Sequence, residues 1–251
     1  MNTTTTPIAE VRPIQRAEAL TLATTENERV LELLRSLDAE TWSAPTDCTG
    51  WNVRDLAGHV LGGMEDFSSA GRLVRLMRAA KREAGDGAFV DGMTAVQVRE
   101  RSGIGRSELL RRMEVAGPRA ARFRHGVPAP LRALPLKQEL LSGVVETWKL
   151  GYLLDTILTR DTWMHRVDLA RAAGRELVLT ESHDGRVVAD VVAEWARRHG
   201  QPFSLALTGP AGGAFTQGAD GERFVLEPVE FCRILSGRTA GEGLLAQEVP
   251  F

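Results

Sequence analysis

Apolar residues recur at helical spacing through most of the first 175 residues, and this repeat restricts that part of the chain to packed helices. Three prolines interrupt the repeat between 126 and 136, where they exclude a helix interior. The longest periodic stretch follows and ends at Gly174, a residue that suits a helix C-terminus. We therefore predict a bundle of four or more helices over residues 14–175. The predicted helical segments are 14–38, 52–67, 71–84, 106–123 and about 139–173.

Residues 176–251 show a different pattern, with shorter periodic pieces and more turns. A helical repeat near 181–199 precedes three strand-like segments, FSLALTG, GGAFTQG and ERFVLEP, which Gly-Pro, Gly-Gly and Asp-Gly pairs punctuate. A last helix is expected at about 228–236. The predicted fold class is therefore mainly α, a four-helix bundle followed by a small α+β C-terminal domain. The polar, Thr-rich residues 1–13 predict a flexible tail.

Charge, hydropathy and cysteine content exclude several classes of partner. A net charge of −2 offers no basic surface to a nucleic acid. No apolar run approaches the roughly 18 residues that a membrane span needs, and residues 1–13 lack the charged and apolar regions of a secretory signal. Cys48 and Cys232 lie far apart and form no CxxC pair, so we expect reduced thiols and a cytoplasmic protein.

Asp161 and His165 are candidates for binding a metal ion. They stand four residues apart in TRDTWMHRVDLARAAGR, so a helix presents both side chains from one face, about 6 Å apart along its axis. Ile157, Leu158 and Leu169 make that face apolar, and polar groups that face a core need a partner. A simple Asp–His pair on the surface of a helix is the alternative.

His59 is the candidate third ligand, because it lies on the core-facing side of the helix that begins after Asn52. A core histidine that is hydrogen-bonded within the protein is the alternative. Two imidazoles and one carboxylate suit Zn²⁺ best, with Ni²⁺, Fe²⁺ and Mn²⁺ as alternatives. Such a set leaves at least one coordination position for water or a substrate.

Charged residues beside these positions are candidates for supporting roles. Arg54 and Arg166 flank the two motifs and are candidates for binding a cofactor or a substrate carboxylate, with surface ion pairing as the alternative for both. Asp168 follows His165 by three residues. It is either an acceptor that orients the imidazole or a solvent-exposed helix carboxylate.

Taken together, these motifs resemble a known family. CTGWNVRDLAGHVLGG, followed later by TRDTWMHRVDLARAAGR, resembles the DinB-type helical bundle of the mycothiol-dependent maleylpyruvate isomerase family, and FCRILSGRTAGEGLLAQEVPF is similar to its small C-terminal domain. The resemblance implies that His59, Asp161 and His165 are the metal ligands. It also implies a catalytic arginine from the C-terminal domain, for which Arg238 is the candidate. The family has Glu where this chain has Asp161, so the carboxylate arm is one carbon shorter here.

The resemblance implies a metal-dependent enzyme that uses mycothiol as a thiol cosubstrate. The thiolate would attack a small electrophilic substrate and lead either to isomerisation or to S-transfer. The alternatives are a metal-dependent hydrolase that activates water and a non-catalytic DinB-like binding protein. The implied partners are a small molecule and a low-molecular-weight thiol, and the protein is expected to be a monomer or a homodimer.

Overall fold

Helices form most of the computed structural model, which describes residues 5–251. Residues 1–4, the start of the predicted tail, lie outside the described residues. Across 5–251, none of the helices is both long and apolar enough to cross a membrane. In chain order the helices are α1 (Arg16–Ser36), α2 (Val53–Asp66), α3 (Ala70–Ala84), α4 (Phe89–Arg99), α5 (Arg106–Gly126), α6 (Ala129–Arg132), α7 (Leu150–Tyr152), α8 (Leu158–Ala172), α9 (Arg186–His199) and α10 (Pro228–Leu235).

The strands form two separate sheets. A four-stranded sheet has the order β1-β5-β4-β6, in which β4 runs antiparallel to β5 and parallel to β6, and β1 runs parallel to β5. The second sheet is a hairpin of β2 and β3. The strands are β1 (Thr5–Pro7), β2 (Pro135–Glu139), β3 (Val145–Lys149), β4 (Phe203–Leu207), β5 (Gly213–Gln217) and β6 (Glu222–Leu226).

The chain divides into two compact units. The tip of the β2–β3 hairpin belongs to the smaller unit, whereas the sequence-based boundaries place it in the predicted bundle at 14–175. The larger unit comprises Arg16–Lys137 and Thr147–Glu176, and the smaller comprises Gln138–Glu146, Leu177–Phe251 and the residues up to Gln15.

The larger unit is a four-helix bundle made by α1, α2, α5 and α8, which pack against one another. Its centre is filled by apolar side chains that are completely or almost completely buried. Their burial is the main force that holds the helices together. The bundle confirms the predicted fold class. Among these core residues are Leu34, Leu56, Leu61, Leu109 and Met113.

The smaller unit is built around Trp195 of α9. The Trp195 ring is fully buried and meets the rings of Phe203, Phe224 and Phe231 at centroid distances of 4.7, 5.9 and 5.4 Å. On β4 the alternate residues are buried and exposed in turn, which is the pattern of a strand with one face on a core. The predicted α+β character of this region is confirmed.

Two expectations about local structure are wrong, and one helix was not predicted. Residues 139–149 are not the start of a long helix but part of the β2–β3 hairpin, because Gly143 takes a left-handed φ of +79° in the turn and β-branched residues follow it. Between the predicted helices at 71–84 and 106–123 the structure has a further helix, α4, which packs closely on α3. The predicted flexible tail is ordered at Thr5–Pro7, where backbone hydrogen bonding to β5 makes it a sheet strand.

Two helix starts position the site described below. Asn52 and Asp55 form the predicted capping box at the start of α2, with the Asn52 side chain accepting from the Asp55 N–H at 3.0 Å and the Asp55 carboxylate accepting from the Asn52 N–H at 3.3 Å. α8 follows α7 through a π-helical turn, Leu153–Ile157. This wider turn precedes the first turn of α8, which contains Asp161.

Candidate metal centre

Side chains from α2 and α8 converge on one point in the larger unit. His59 Nε2 lies 3.8 Å from Asp161 Oδ2, and His165 Nε2 lies 3.2 Å from Asp161 Oδ1. The two imidazole rings meet edge to face, with their centroids 4.9 Å apart. One nitrogen or oxygen from each of these residues lies within 4.8 Å of the others.

Helix geometry explains this convergence. Asp161 and His165 are one turn apart on α8, so both point from the same face of that helix. His59 lies in the middle of α2, and α2 packs against α8 within the bundle. Two local patterns and one helix contact are therefore enough to bring the three side chains together.

The separations fit a shared divalent cation. Bonds of about 2.1 Å in a tetrahedral site place neighbouring ligand atoms about 3.4 Å apart. The distances from the two imidazole nitrogens to Asp161, 3.2 Å to Oδ1 and 3.8 Å to Oδ2, are each close to that value. Two nitrogens and a carboxylate oxygen are also the donor types of catalytic zinc sites. The residues present fit a metal ion of this kind.

The site is closed on the side of the histidines and open at the carboxylate. The His59 and His165 side chains are only 7% and 10% exposed, whereas Asp161 is 32% exposed. Trp51 covers His59 with its ring centroid at 5.3 Å. Solvent and a small ligand therefore reach the cluster along Asp161.

The cluster is strongly coupled electrostatically. Burial raises the pKa of Asp161, but the charges and hydrogen bonds of the two imidazoles outweigh it and hold that pKa well below its ordinary value. Burial likewise lowers the pKa of His165, and the Asp161 carboxylate outweighs it and raises the pKa well above the ordinary value.

Asp168 is buried and faces His165, so the reading of it as a solvent-exposed carboxylate is wrong. Its Oδ2 lies 3.1 Å from His165 Nδ1, and its side chain is 0% exposed. An imidazole that donates Nδ1–H to a carboxylate has its Nε2 free and oriented towards a metal. The geometry is that of the orienting partner.

Cys48 lies beside this pair and was not singled out from the sequence. Its Sγ lies 3.5 Å from Asp168 Oδ2 and 3.8 Å from His165 Nδ1. Cys48 belongs to the loop before α2 and the other two residues belong to α8. No sequence spacing connects them, because only the packing of α2 on α8 brings the loop close.

The three predicted arginines have separate environments. Arg166 forms a buried ion pair with Glu26, with 2.6 Å between Nε and Oε1. Arg54 donates to the backbone carbonyls of Ser102 and Ile104. These contacts do not favour a role for either residue in binding a cofactor, and that role stays a prediction. Arg238 follows α10 in the smaller unit, and its catalytic role likewise stays a prediction.

Known proteins resemble the chain in sequence pattern and in fold. A family model described as "Mycothiol maleylpyruvate isomerase N-terminal domain" matches residues 23–170. Two solved structures, a mycothiol-dependent maleylpyruvate isomerase and its mutant with one histidine replaced by alanine, each match at a TM-score of 0.56 and 17% identity, over 94% of this chain and 93% of theirs. At that identity the structural matches establish the fold. No curated protein sequence matches the chain significantly.

Proposed function

The chain belongs to the mycothiol maleylpyruvate isomerase family, whose model matches more than half of its residues, and from this we propose that it is a metal-dependent enzyme that uses mycothiol to isomerise a small conjugated electrophile. The family is one of thiol-dependent enzymes. The substrate, the metal and the roles of single residues are parts of the proposal.

The convergence of His59, Asp161 and His165 is the observation that carries the proposal. A structural metal site is usually closed by four protein ligands, whereas a catalytic one has three and an open position. Here three candidate ligands meet, and the partly exposed Asp161 marks the open side. Zn²⁺ is the metal we propose, and Ni²⁺, Fe²⁺ and Mn²⁺ are the alternatives. A cation bound there would stabilise the thiolate form of a thiol near neutral pH.

The surrounding residues would hold this arrangement in place. Asp168 accepts from Nδ1 of His165 and so keeps Nε2 directed at the open side. Trp51 packs against the His59 ring, with the ring centroids 5.3 Å apart. The burial of both imidazoles keeps water away from all but the Asp161 edge.

The proposed reaction needs no net change in atoms. The thiolate sulfur adds to one carbon of a conjugated cis double bond, and the electron pair moves into the neighbouring carbonyl group. The former double bond can then rotate. Return of the electron pair expels the thiolate and leaves the trans isomer, so the thiol is regenerated.

Two measurements on purified protein test the proposal. Elemental analysis should find close to one divalent ion per chain, and maleylpyruvate should isomerise only when both the metal and mycothiol are present. His59→Ala should abolish turnover, whereas His125→Ala, a histidine outside the cluster, should leave it unchanged. Thiol-independent conversion of maleylpyruvate to products that have taken up water would instead indicate hydrolysis by activated water. A protein that binds no metal and turns nothing over would be a binding protein.

A further inference from the structure

Arg124, near the C-terminal end of α5, is a buried arginine for which the described part of the chain shows no ion pair within hydrogen-bond distance. It is 6% exposed, and its Nε atom is buried with no hydrogen-bond partner among residues 5–251. Three other buried arginines of the larger unit form ion pairs: Arg101 with Glu65 and Asp66, Arg132 with Asp155, and Arg166 with Glu26. The Nε–H of Arg124 thus departs from the rule that buried polar groups are hydrogen-bonded.

Its position links it to the metal centre. α5 packs against the π-helical turn that precedes α8. Arg132 donates to the Arg124 carbonyl oxygen at 3.0 Å and pairs with Asp155 in that turn. The charges of Asp155 and Asp161 both act on the Arg124 guanidinium, but neither forms a hydrogen bond with it. Arg124 therefore interacts electrostatically with Asp161, the partly exposed candidate metal ligand.

A buried guanidinium whose Nε–H has no acceptor is stabilised when it binds an anion. Burial lowers the pKa of Arg124 to about 10, with Asp155 and Asp161 opposing the shift, so the side chain is still charged at neutral pH. Removal of a cation from water without a hydrogen-bonded partner is unfavourable. A carboxylate satisfies a guanidinium well, because two parallel hydrogen bonds match its planar geometry.

We propose that Arg124 binds a carboxylate group of the substrate, so that the site selects short electrophiles that carry a carboxylate near the reacting double bond. This inference rests on the proposed function of the same site. Arg124 takes the place there that the sequence assigned to Arg54 and Arg166. The sequence does not distinguish Arg124, because it is one of several arginines in the helical segment RAARFRHG.

Binding of a carboxylate without any reaction tests the proposal separately from catalysis. The metal-loaded protein is titrated calorimetrically with maleate, without thiol, and with dimethyl maleate as the neutral probe. We expect Arg124→Gln to weaken maleate binding by about tenfold or more and to leave ester binding unchanged. Arg124→Lys, which keeps the charge without the planar fork, should lie between Arg124→Gln and the wild type.

The control is Arg122→Gln, an exposed arginine two residues earlier on the same helix. It should bind maleate as the wild type does. Equal maleate affinity in Arg124→Gln and the wild type would overturn the proposal. If thiol-dependent turnover fails while this difference in affinity persists, the proposed function falls and the carboxylate site stands.

Stability without ligand gives a second readout. If the Arg124 guanidinium is fully hydrogen-bonded only when a substrate is bound, Arg124→Gln removes an unsatisfied buried cation from the ligand-free protein. That variant should then melt at the same temperature as the wild type or higher. A loss of cooperative unfolding in this variant would show that the fold already satisfies the charge, and would contradict the proposal.

Discussion

At the scale of single residues, the centre depends on the direction of each imidazole. Each histidine directs Nε2 at the Asp161 carboxylate, and only His165 has a carboxylate behind its other nitrogen. Nδ1 of His59 is buried and has no hydrogen-bond partner among residues 5–251. The orientation of His165 is therefore set by a hydrogen bond, and that of His59 by packing against Trp51.

Removal of His165 should remove the metal. We expect His165→Ala to lose more than about 100-fold in metal affinity, because it deletes a ligand rather than a supporting group. Competition with a chromophoric chelator measures the affinity. Asp161→Glu should still bind metal and have altered activity, since it keeps the carboxylate and lengthens its arm. Normal metal binding by His165→Ala would place the site elsewhere.

Loss of the charge of Asp168 should weaken the site without deleting a ligand. Asp168→Asn keeps the shape but offers His165 a neutral acceptor, and we expect metal affinity to fall by about 10- to 100-fold. The same chelator competition measures it. Cys48→Ala serves as the control, because it removes only weak thiol contacts to Asp168 and His165 and should change the affinity far less. Equal effects of both variants would argue against an orienting role.

At the scale of elements, α2 and α4 approach each other closely at one glycine. A Cβ atom added to Gly62 would lie 2.7 Å from Cβ of Gln97 on α4. A Cβ added to the next residue, Gly63, would meet no atom within 4 Å. These two adjacent glycines therefore separate the cost of a clash from the intrinsic effect of glycine in a helix.

The two alanine variants should change stability in opposite directions. We expect Gly62→Ala to destabilise the protein by about 1–3 kcal/mol, because the helices must move apart. Gly63→Ala should stabilise it by about 0.5–1 kcal/mol, because alanine loses less backbone entropy in a helix. Urea unfolding monitored by circular dichroism gives both values. Similar results for the two variants would contradict the close packing of α2 on α4.

The start of α2 should also be energetically measurable. Asn52→Ala removes the side-chain acceptor of the capping box, and we expect a loss of about 1 kcal/mol of stability. Urea unfolding of this variant measures the loss. Asn52→Asp, which keeps an acceptor at the cap, should restore most of it. A failure of Asn52→Asp to do better than alanine would show that the cap does not stabilise the helix.

At the scale of the whole molecule, metal binding should stabilise the fold, because the ligands come from two helices that meet only in the folded chain. A ligand at 100 times its dissociation constant adds about 2.7 kcal/mol. We therefore expect Zn²⁺ to raise the melting temperature and a chelator to lower it again. Calorimetric scans measure both, and His165→Ala should respond to neither. If Zn²⁺ did not change the melting temperature of the wild type, the proposed metal site would be contradicted.

The sequence by itself determined the features whose hydrogen bonds and side-chain spacing depend on near neighbours. The capping box at Asn52, the alignment of Asp161 with His165 and the strands after residue 200 all follow from residues a few positions apart. The periodic pattern misled at 139–149, where a short strand pair lies next to a true helix, and it missed α4.

The tertiary structure alone decided which of these local features meet. The approach of His59 to Asp161, the burial of Asp168 beside Cys48 and, among the described residues, the unpartnered Nε of Arg124 depend on segments far apart in sequence. The pairing of Thr5–Pro7 with β5 is of the same kind. Such contacts arise from the joint burial of apolar faces on several helices and strands, which no single stretch of sequence specifies.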